Sequence, residues 1–189
     1  MTAFDYRVFA VGLVAAVSAC GTVSPVTMAR LAALDPLTAD PAELAVAIVV
    51  PEGFSVVPGT AKLTLKAARG QQKLAEMVTL LDRPLAGAVQ TPEGSRATAY
   101  ALAPIDVQRM RDWQATVAGW TDGGAASGTF GLGVDGCTTG DGPAPDALAA
   151  VYVRLEAGGS YLPLVPPSPM SALLGPDVMA AIKPCTGAR

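Results

Sequence analysis

Apolar and polar residues alternate along several short stretches of the chain, which is the pattern of strands that are buried on one face. The clearest stretch is Ala61 to Arg69, where the leucines and Ala67 point one way and the lysines point the other. Gly70-Gln71-Gln72 is turn-like, so Leu74 to Asp82 is expected to return as the hairpin partner. This part of the chain therefore predicts antiparallel pairing.

A second kind of strand is predicted by the run from Leu44 to Val50, which is apolar and rich in β-branched residues and is expected to be buried. Pro51-Glu52-Gly53 and Pro58-Gly59 are expected to bracket a loop after it. Pro166 to Pro169 is expected to close the sheet region. The remaining predicted strands are Arg96 to Ala103, Phe130 to Val134 running into Cys137, Val151 to Leu155, and Tyr161 to Val165.

One long helix is predicted from Pro104 to about Trp120, because apolar residues recur there every three or four positions. Both tryptophans of the chain, Trp113 and Trp120, lie on this apolar stripe. The stripe predicts a helix packed on a sheet, and an exposed aromatic face that contacts a ligand or partner is the alternative. Shorter helical segments are predicted at residues 28–34, in a single turn at 40–43, and at 176–182.

The predicted elements sum to about seven short strands with one crossing helix. Such a set indicates a mainly β fold, either an antiparallel β-sandwich or a curled sheet with the helix packed on it. The segment from Thr121 to Gly128 is rich in Gly, Ala and Ser and is expected to be a mobile loop. The sequence contains neither an internal repeat nor a visible domain boundary, so residues 28–189 are expected to form one domain.

The first 25 residues have a different character from the rest. A short start with Arg7 leads into the apolar run Val8 to Val17, and small residues follow. That order is typical of an export signal. The twelve residues from Val8 to Ala19 would measure roughly 18 Å as a helix, against roughly 30 Å of membrane hydrocarbon, so they are too short to span a membrane alone.

The end of this run, Val17-Ser18-Ala19-Cys20, resembles the lipobox of bacterial lipoprotein precursors. The resemblance covers only about the first two dozen residues. It implies that residues 1–19 are removed, that Cys20 carries a diacylglyceryl group, and that residues 20–27 form a short tether. Acyl chains on Cys20 would then anchor the protein to a membrane. Gly21 after that cysteine resembles cargo sorted to the outer membrane, with the folded part facing the periplasm.

Composition narrows the possible chemistry. The chain has no histidine, which removes the commonest general base and the commonest zinc ligand. The formal net charge is −3, and no run of Lys or Arg follows the signal, so nothing points to nucleic acid. An enzyme would have to use carboxylates, Lys, Tyr or a Ser-Lys pair.

The three cysteines are consistent with the same location outside the cytosol. If Cys20 is lipidated, Cys137 and Cys185 remain as an even pair in an oxidising compartment, where a disulfide between them is expected. Two buried free thiols are the alternative.

Two motifs bear on ligand binding. Residues 131–136 match G-x-G-x-x-G, but they lie in an alternating strand rather than before a helix, so they predict close packing of the helix or its tryptophans instead of a dinucleotide site. Asp122, Asp135 and Asp141 occur in Gly-rich segments without the spacing of a calcium loop. No metal and no cofactor are therefore expected.

Three functions stay open from the sequence. The favoured one is a non-enzymatic envelope lipoprotein that binds or scaffolds another envelope component. The second is a carboxylate-dependent hydrolase or transferase using Asp122, Asp135 or Asp141. The third is a small-ligand carrier whose pocket is lined by aromatic residues, namely Trp113, Trp120, Tyr152 and Tyr161.

Overall fold

A computed structural model describes residues 39–120 and 127–186 of the chain. The strands in these ranges are β1 (Ala45–Pro51), β2 (Phe54–Val56), β3 (Lys62–Arg69), β4 (Gln72–Arg83), β5 (Ser95–Leu102), β6 (Ser127–Gly133), β7 (Gly136–Thr138), β8 (Leu148–Arg154) and β9 (Leu162–Pro169). The helices are α1 (Pro104–Ala118), α2 (Met170–Leu174) and α3 (Pro176–Ala181). The expected signal peptide, tether and helix at 28–34, with Cys20 and Asp122, lie outside the described residues.

Seven of the strands form one antiparallel sheet in the order β6-β3-β4-β5-β1-β8-β9. The sheet curls because β4 serves two ladders: residues 72–79 pair with β3, whereas residues 80–83 pair with β5. The predicted β3–β4 hairpin is confirmed. The mainly β fold with a helix packed on it is also confirmed, and of the two expected architectures the curled sheet is the one found.

Strand β1 lies in the middle of the sheet and is buried along its whole length. Val46, Ile48 and Val50 belong to the main core on the inner face, and the intervening residues belong to a second cluster on the outer face. The outer cluster is covered by residues 84–94, which we call the outer strap. The hydroxyl of Tyr152 donates a hydrogen bond to the strap at the Gln90 carbonyl, 3.0 Å away. Burial on both faces explains why the β1 sequence is continuously apolar.

Helix α1 covers the inner face of the sheet. Met110, Trp113 and Val117 are buried in the main core, as the apolar stripe predicted. Pro104 occupies its first turn, where a missing N–H leaves no intrahelical hydrogen bond unmade. The helix ends at Ala118, slightly before the predicted end.

The ion pairs of α1 also fix the helix on the sheet. The guanidinium of Arg109 lies 2.7 Å from the Asp106 carboxylate and also contacts Glu76 on β4. Asp112, one turn further along the helix, accepts a hydrogen bond of 2.8 Å from Gln108.

Two predictions about loops and strands were wrong in the same region. The loop expected after β1 contains β2, and the strand expected to run through Val134 into Cys137 is divided into β6 and β7. β2 and β7 pair with each other as a separate two-stranded sheet. The division is held by Asp135, whose carbonyl accepts a hydrogen bond from the Val57 amide at 2.8 Å and whose amide donates to Thr60 Oγ1 at 3.0 Å.

The prolines expected to close the sheet lie inside β9 instead. This is possible because β9 is an edge strand, so the missing N–H groups need not interrupt a ladder on its outer side. Helix α2, which the sequence did not predict, begins directly after these prolines, and the predicted terminal helix is found as α3.

Candidate functional site

A disulfide-compatible pair of cysteines ties the end of the described chain to the small sheet. Cys137 lies in β7, and its sulfur is 2.05 Å from that of Cys185, with a Cα–Cα distance of 4.9 Å. The backbone next to it is also paired: the Thr138 amide donates to the Lys183 carbonyl at 3.0 Å, and the Cys185 amide donates to the Thr138 carbonyl at 2.9 Å. The C-terminal segment is therefore fixed along β7 by both covalent and hydrogen bonds.

Beside this small sheet lies a depression of about 760 Å³, which we call the acidic depression. Four of its lining residues carry carboxylates. They come from four separate parts of the chain near the ends of β1, β5, β7 and β8: Glu52, Glu93, Asp141 and Asp146. The depression is thus built by the ends of the strands rather than by one local motif.

Close backbone contacts shape the wall of the acidic depression. Gly53 has a φ of +80°, and a Cβ placed on it would lie 2.2 Å from the Gly142 carbonyl oxygen. The Gly53 carbonyl also accepts a hydrogen bond of 2.9 Å from the Thr139 amide. A side chain at this glycine would therefore separate the β1–β2 turn from the segment that carries Asp141.

The three aspartates singled out from the sequence are not brought together by the described structure. Asp141 lines the acidic depression, whereas Asp135 is exposed in the connection between β6 and β7, and Asp122 is outside the described residues. Within residues 39–120 and 127–186, no cluster of three or more acidic or cysteine residues is arranged to hold a metal ion. The depression offers carboxylates for binding cations or for acid–base work, without an arranged metal centre in the described part.

A second depression, of about 430 Å³, lies at the other side of the fold, where the β3–β4 hairpin meets β6. We call it the basic depression, because Lys66 and Lys73 are the charged residues in its lining. Gly128 and Thr129 of β6 form the rest of its rim, together with small or apolar residues of β3 and β4.

The lysines belong to a wider charged surface. Alternation along β3 and β4 places Lys62, Lys66 and Lys73 on the outward face, opposite the core leucines. Met77, with 54% of its surface exposed, lies on the same face. Three of the four lysines of the chain are thus gathered on one face of a protein whose net charge is negative.

The four aromatic residues considered for a ligand pocket are separated by the sheet. Trp113 is 6% exposed in the main core, and Trp120 packs half-buried against that core. Tyr152 and Tyr161 belong to the outer cluster on the opposite face of β1. These aromatic side chains therefore contribute to packing on two different faces and do not share one pocket.

The glycines of the G-x-G-x-x-G match lie in two strands, with Gly131 and Gly133 in β6 and Gly136 in β7. The next described helix after them begins only at Met170, so the arrangement lacks the helix N-terminus that a dinucleotide site uses. Close packing does occur at Gly136, but the ring that approaches it is Phe54 rather than a tryptophan of the helix.

Several titratable groups have displaced pKa values for structural reasons. The pKa of Asp40 is lowered, first by the hydrogen bond from the Ala42 amide and then by the bond from Arg111. Burial raises the pKa of Tyr100 and of Tyr152 above the ordinary value. These residues do not line the two depressions, so their shifts report packing and local structure.

Comparisons of the chain with protein-family models, with curated proteins and with solved structures found no match. Across residues 39–120 and 127–186, no helix is both long enough and apolar enough to cross a membrane.

Proposed function

We propose that the protein is a bacterial envelope lipoprotein whose folded part binds or scaffolds another envelope component without catalysing a reaction. The observation that carries the proposal is the apolar signal ending in Val17-Ser18-Ala19-Cys20. In this proposal residues 1–19 are removed, and acyl chains on Cys20 hold the module at a membrane. The outer membrane is favoured over the inner one. The anchor rests on the sequence of this region, which lies outside the described residues.

The pairing of Cys137 with Cys185 supports an oxidising compartment such as the periplasm. Disulfides persist outside the cytosol, where thiol-reducing systems are absent. With these two cysteines at disulfide distance, Cys20 is the cysteine left over for lipidation.

A binding role is supported by the surface of the described module. Basic and acidic residues are segregated into two separate depressions, and the described residues contain no histidine or metal cluster. Charge segregation of this kind favours selective recognition of a charged partner.

The test is the intact mass of the protein purified from membranes of the producing cells, beside a Cys20→Ala variant. We expect the wild-type chain to begin at Cys20, to carry acyl groups, and to be lighter by two hydrogen atoms because of the disulfide. The variant is expected to lose the acyl mass and to leave the membrane fraction. An uncut, unmodified wild-type chain recovered from the cytosol would overturn the proposal.

The acidic depression favours a second candidate, a carboxylate-dependent hydrolase. Pairs of carboxylates act as acid and base in glycoside hydrolysis, and the depression gathers four carboxylates around one space. Asp141 is the residue that both the sequence and the depression indicate.

This candidate is tested with a panel of chromogenic p-nitrophenyl glycosides. Activity that is lost in Asp141→Asn or Asp146→Asn but kept in Asp135→Asn would support it, because Asp135 lies outside the depression lining. A wild-type protein that releases no chromophore from any of these glycosides would dismiss this hydrolase.

A further inference from the structure

Strand β6 forms one edge of the seven-stranded sheet. Among the described residues it pairs with β3 on one side and with no strand on the other. Backbone N–H and C=O groups of a strand point alternately to its two sides, so about half of those in β6 face away from β3. An edge of this kind is a template on which another extended chain can add as a strand.

The opposite edge of the sheet is protected, and this makes the β6 edge distinctive. Strand β9 contains Pro163, Pro166, Pro167 and Pro169, and its pairing with β8 has register shifts. Prolines and irregular pairing prevent an edge from accepting another strand. The sequence of β6, Ser-Gly-Thr-Phe-Gly-Leu-Gly, has neither a proline nor a charged residue.

The chemistry beside β6 indicates what kind of strand would bind. On the outward face, Lys62 is opposite Gly133 and Lys66 is opposite Thr129 in the β3–β6 register, with Gly131 between. Gly133 places no side chain between Lys62 and a strand added beyond β6, and the short side chain of Thr129 is the one that lies between Lys66 and that strand. That strand would lie about 5 Å from β6 and about 10 Å from β3, a gap that a glutamate and a lysine side chain can bridge together.

The basic depression reaches the same edge. Gly128 and Thr129 of β6 form part of its rim, and Lys66 and Lys73 are its charged lining residues. The basic depression therefore meets the outward face of β6 at Thr129, next to Lys66, whereas Lys73 lies on β4, one strand further from the edge. The register positions on the outward faces of β3, β4 and β6 supply no carboxylate that would compete for them.

We propose that the β6 edge binds an extended acidic segment of a partner polypeptide as an eighth strand, with alternate carboxylates paired to Lys62 and Lys66. The inference rests on the proposed binding role and names its surface and its class of partner. A second copy of the chain fits this edge less well. Antiparallel pairing of two β6 strands would bring the lysines of both copies onto one face without a carboxylate between them.

The experiment measures hydrogen exchange of the full chain, purified from the producing cells in detergent, with two capped decapeptides as probes. One alternates valine with glutamate and the other alternates valine with lysine. We expect the glutamate peptide to slow amide exchange in residues 127–133 and to leave β9 unchanged. The lysine peptide is expected to leave amide exchange in residues 127–133 unchanged. Added salt is expected to weaken the binding of the glutamate peptide, because it screens the charges.

Charge-reversal variants test the role of the lysines. The double variant Lys62→Glu, Lys66→Glu is expected to bind the glutamate peptide about tenfold more weakly, or weaker still. The same variant is expected to bind the lysine peptide. Lys183→Glu changes the fourth lysine, which lies in the C-terminal segment, and serves as the control. This variant is expected to keep the wild-type preference for the glutamate peptide over the lysine peptide. If the double variant does not fold, the two peptides on the wild-type chain still decide the question.

Three results would overturn the inference: no protection of residues 127–133 by the glutamate peptide, equal protection by both peptides, or protection that grows with protein concentration alone, which would assign the edge to a second copy. The mass of the same preparation reports separately on Cys20. An unprocessed chain that still binds the acidic peptide would remove the lipoprotein proposal and leave the β6 site standing. A processed chain that fails to bind the acidic peptide would remove the β6 site and leave the lipoprotein proposal standing.

Discussion

The ring of Phe54 occupies the space that a side chain at residue 136 would need. A Cβ placed on Gly136 would lie 1.9 Å from the ring's Cζ. The two residues belong to β2 and β7, which form the small sheet, and Phe54 is also part of the main core. This contact therefore joins the small sheet, which carries the C-terminal segment through Cys137, to the interior of the protein.

Gly136→Ala is expected to destabilise the protein by about 1–3 kcal/mol, because the added methyl group must displace Phe54 from a packed core. Urea denaturation followed by circular dichroism measures this change. Gly133→Ala is the matched control, since a Cβ at that position meets nothing within 4 Å. The control is expected to stay within about 0.5 kcal/mol of wild type. Equal effects of the two substitutions would contradict the proposed contact.

Trp113→Ala is expected to cost about 3–5 kcal/mol of unfolding free energy, because the indole fills the core between α1 and the sheet. Ile105→Ala lies on the same helix and removes a side chain that is 74% exposed, so it is expected to change stability by no more than about 0.5 kcal/mol. Both are measured by urea denaturation. A small cost for Trp113 would instead favour the ligand-facing role that the sequence left open.

Replacing both Cys137 and Cys185 with serine is expected to lower stability by up to about 4 kcal/mol in the chain-entropy model, since the bond closes a loop with a sequence separation of 48. Thermal or urea unfolding with and without a reductant measures the loss. Hydrogen exchange should speed up locally at the Thr138 and Cys185 amides, which pair across the same segment. Ready alkylation of both thiols in the native wild-type protein would refute the disulfide.

The protein is expected to lose stability as the pH rises above about 10, partly through Tyr152. Burial raises the pKa of this phenol in the folded state above its ordinary value of 10.0. The unfolded chain therefore releases the proton first, and the stabilisation is complete below pH 10 and lost as the pH passes the folded value. The ionised oxygen could also no longer donate to the Gln90 carbonyl.

The measurement is unfolding free energy against pH for wild type and Tyr152→Phe. We expect the variant to lose less stability between neutral and alkaline pH than the wild type does, since Tyr100 then remains as the other buried phenol with a raised pKa. If the unfolding free energy falls equally steeply with alkaline pH in the two proteins, Tyr152 does not contribute to the loss of stability.

Sequence periodicity determined the local elements well. The alternation in Ala61 to Arg69 predicted β3 and its hairpin with β4, and the three-to-four spacing of apolar residues predicted α1. These features depend on neighbours a few residues apart, because side-chain direction repeats every 2 residues in a strand and every 3.6 in a helix. The lipobox at Cys20 is likewise a local signal, and it remains a prediction.

The tertiary structure decided how distant segments meet. It divided the strand expected to run into Cys137, paired β7 with a strand hidden in a predicted loop, and kept the prolines of β9 at an edge. Only the assembled sheet brings Glu52 and Glu93 to Asp141. Only the strand order leaves β6, among the described residues, with β3 on one side and no strand on the other. Which strands become neighbours depends on the burial of the whole apolar surface, and no short stretch of sequence contains that information.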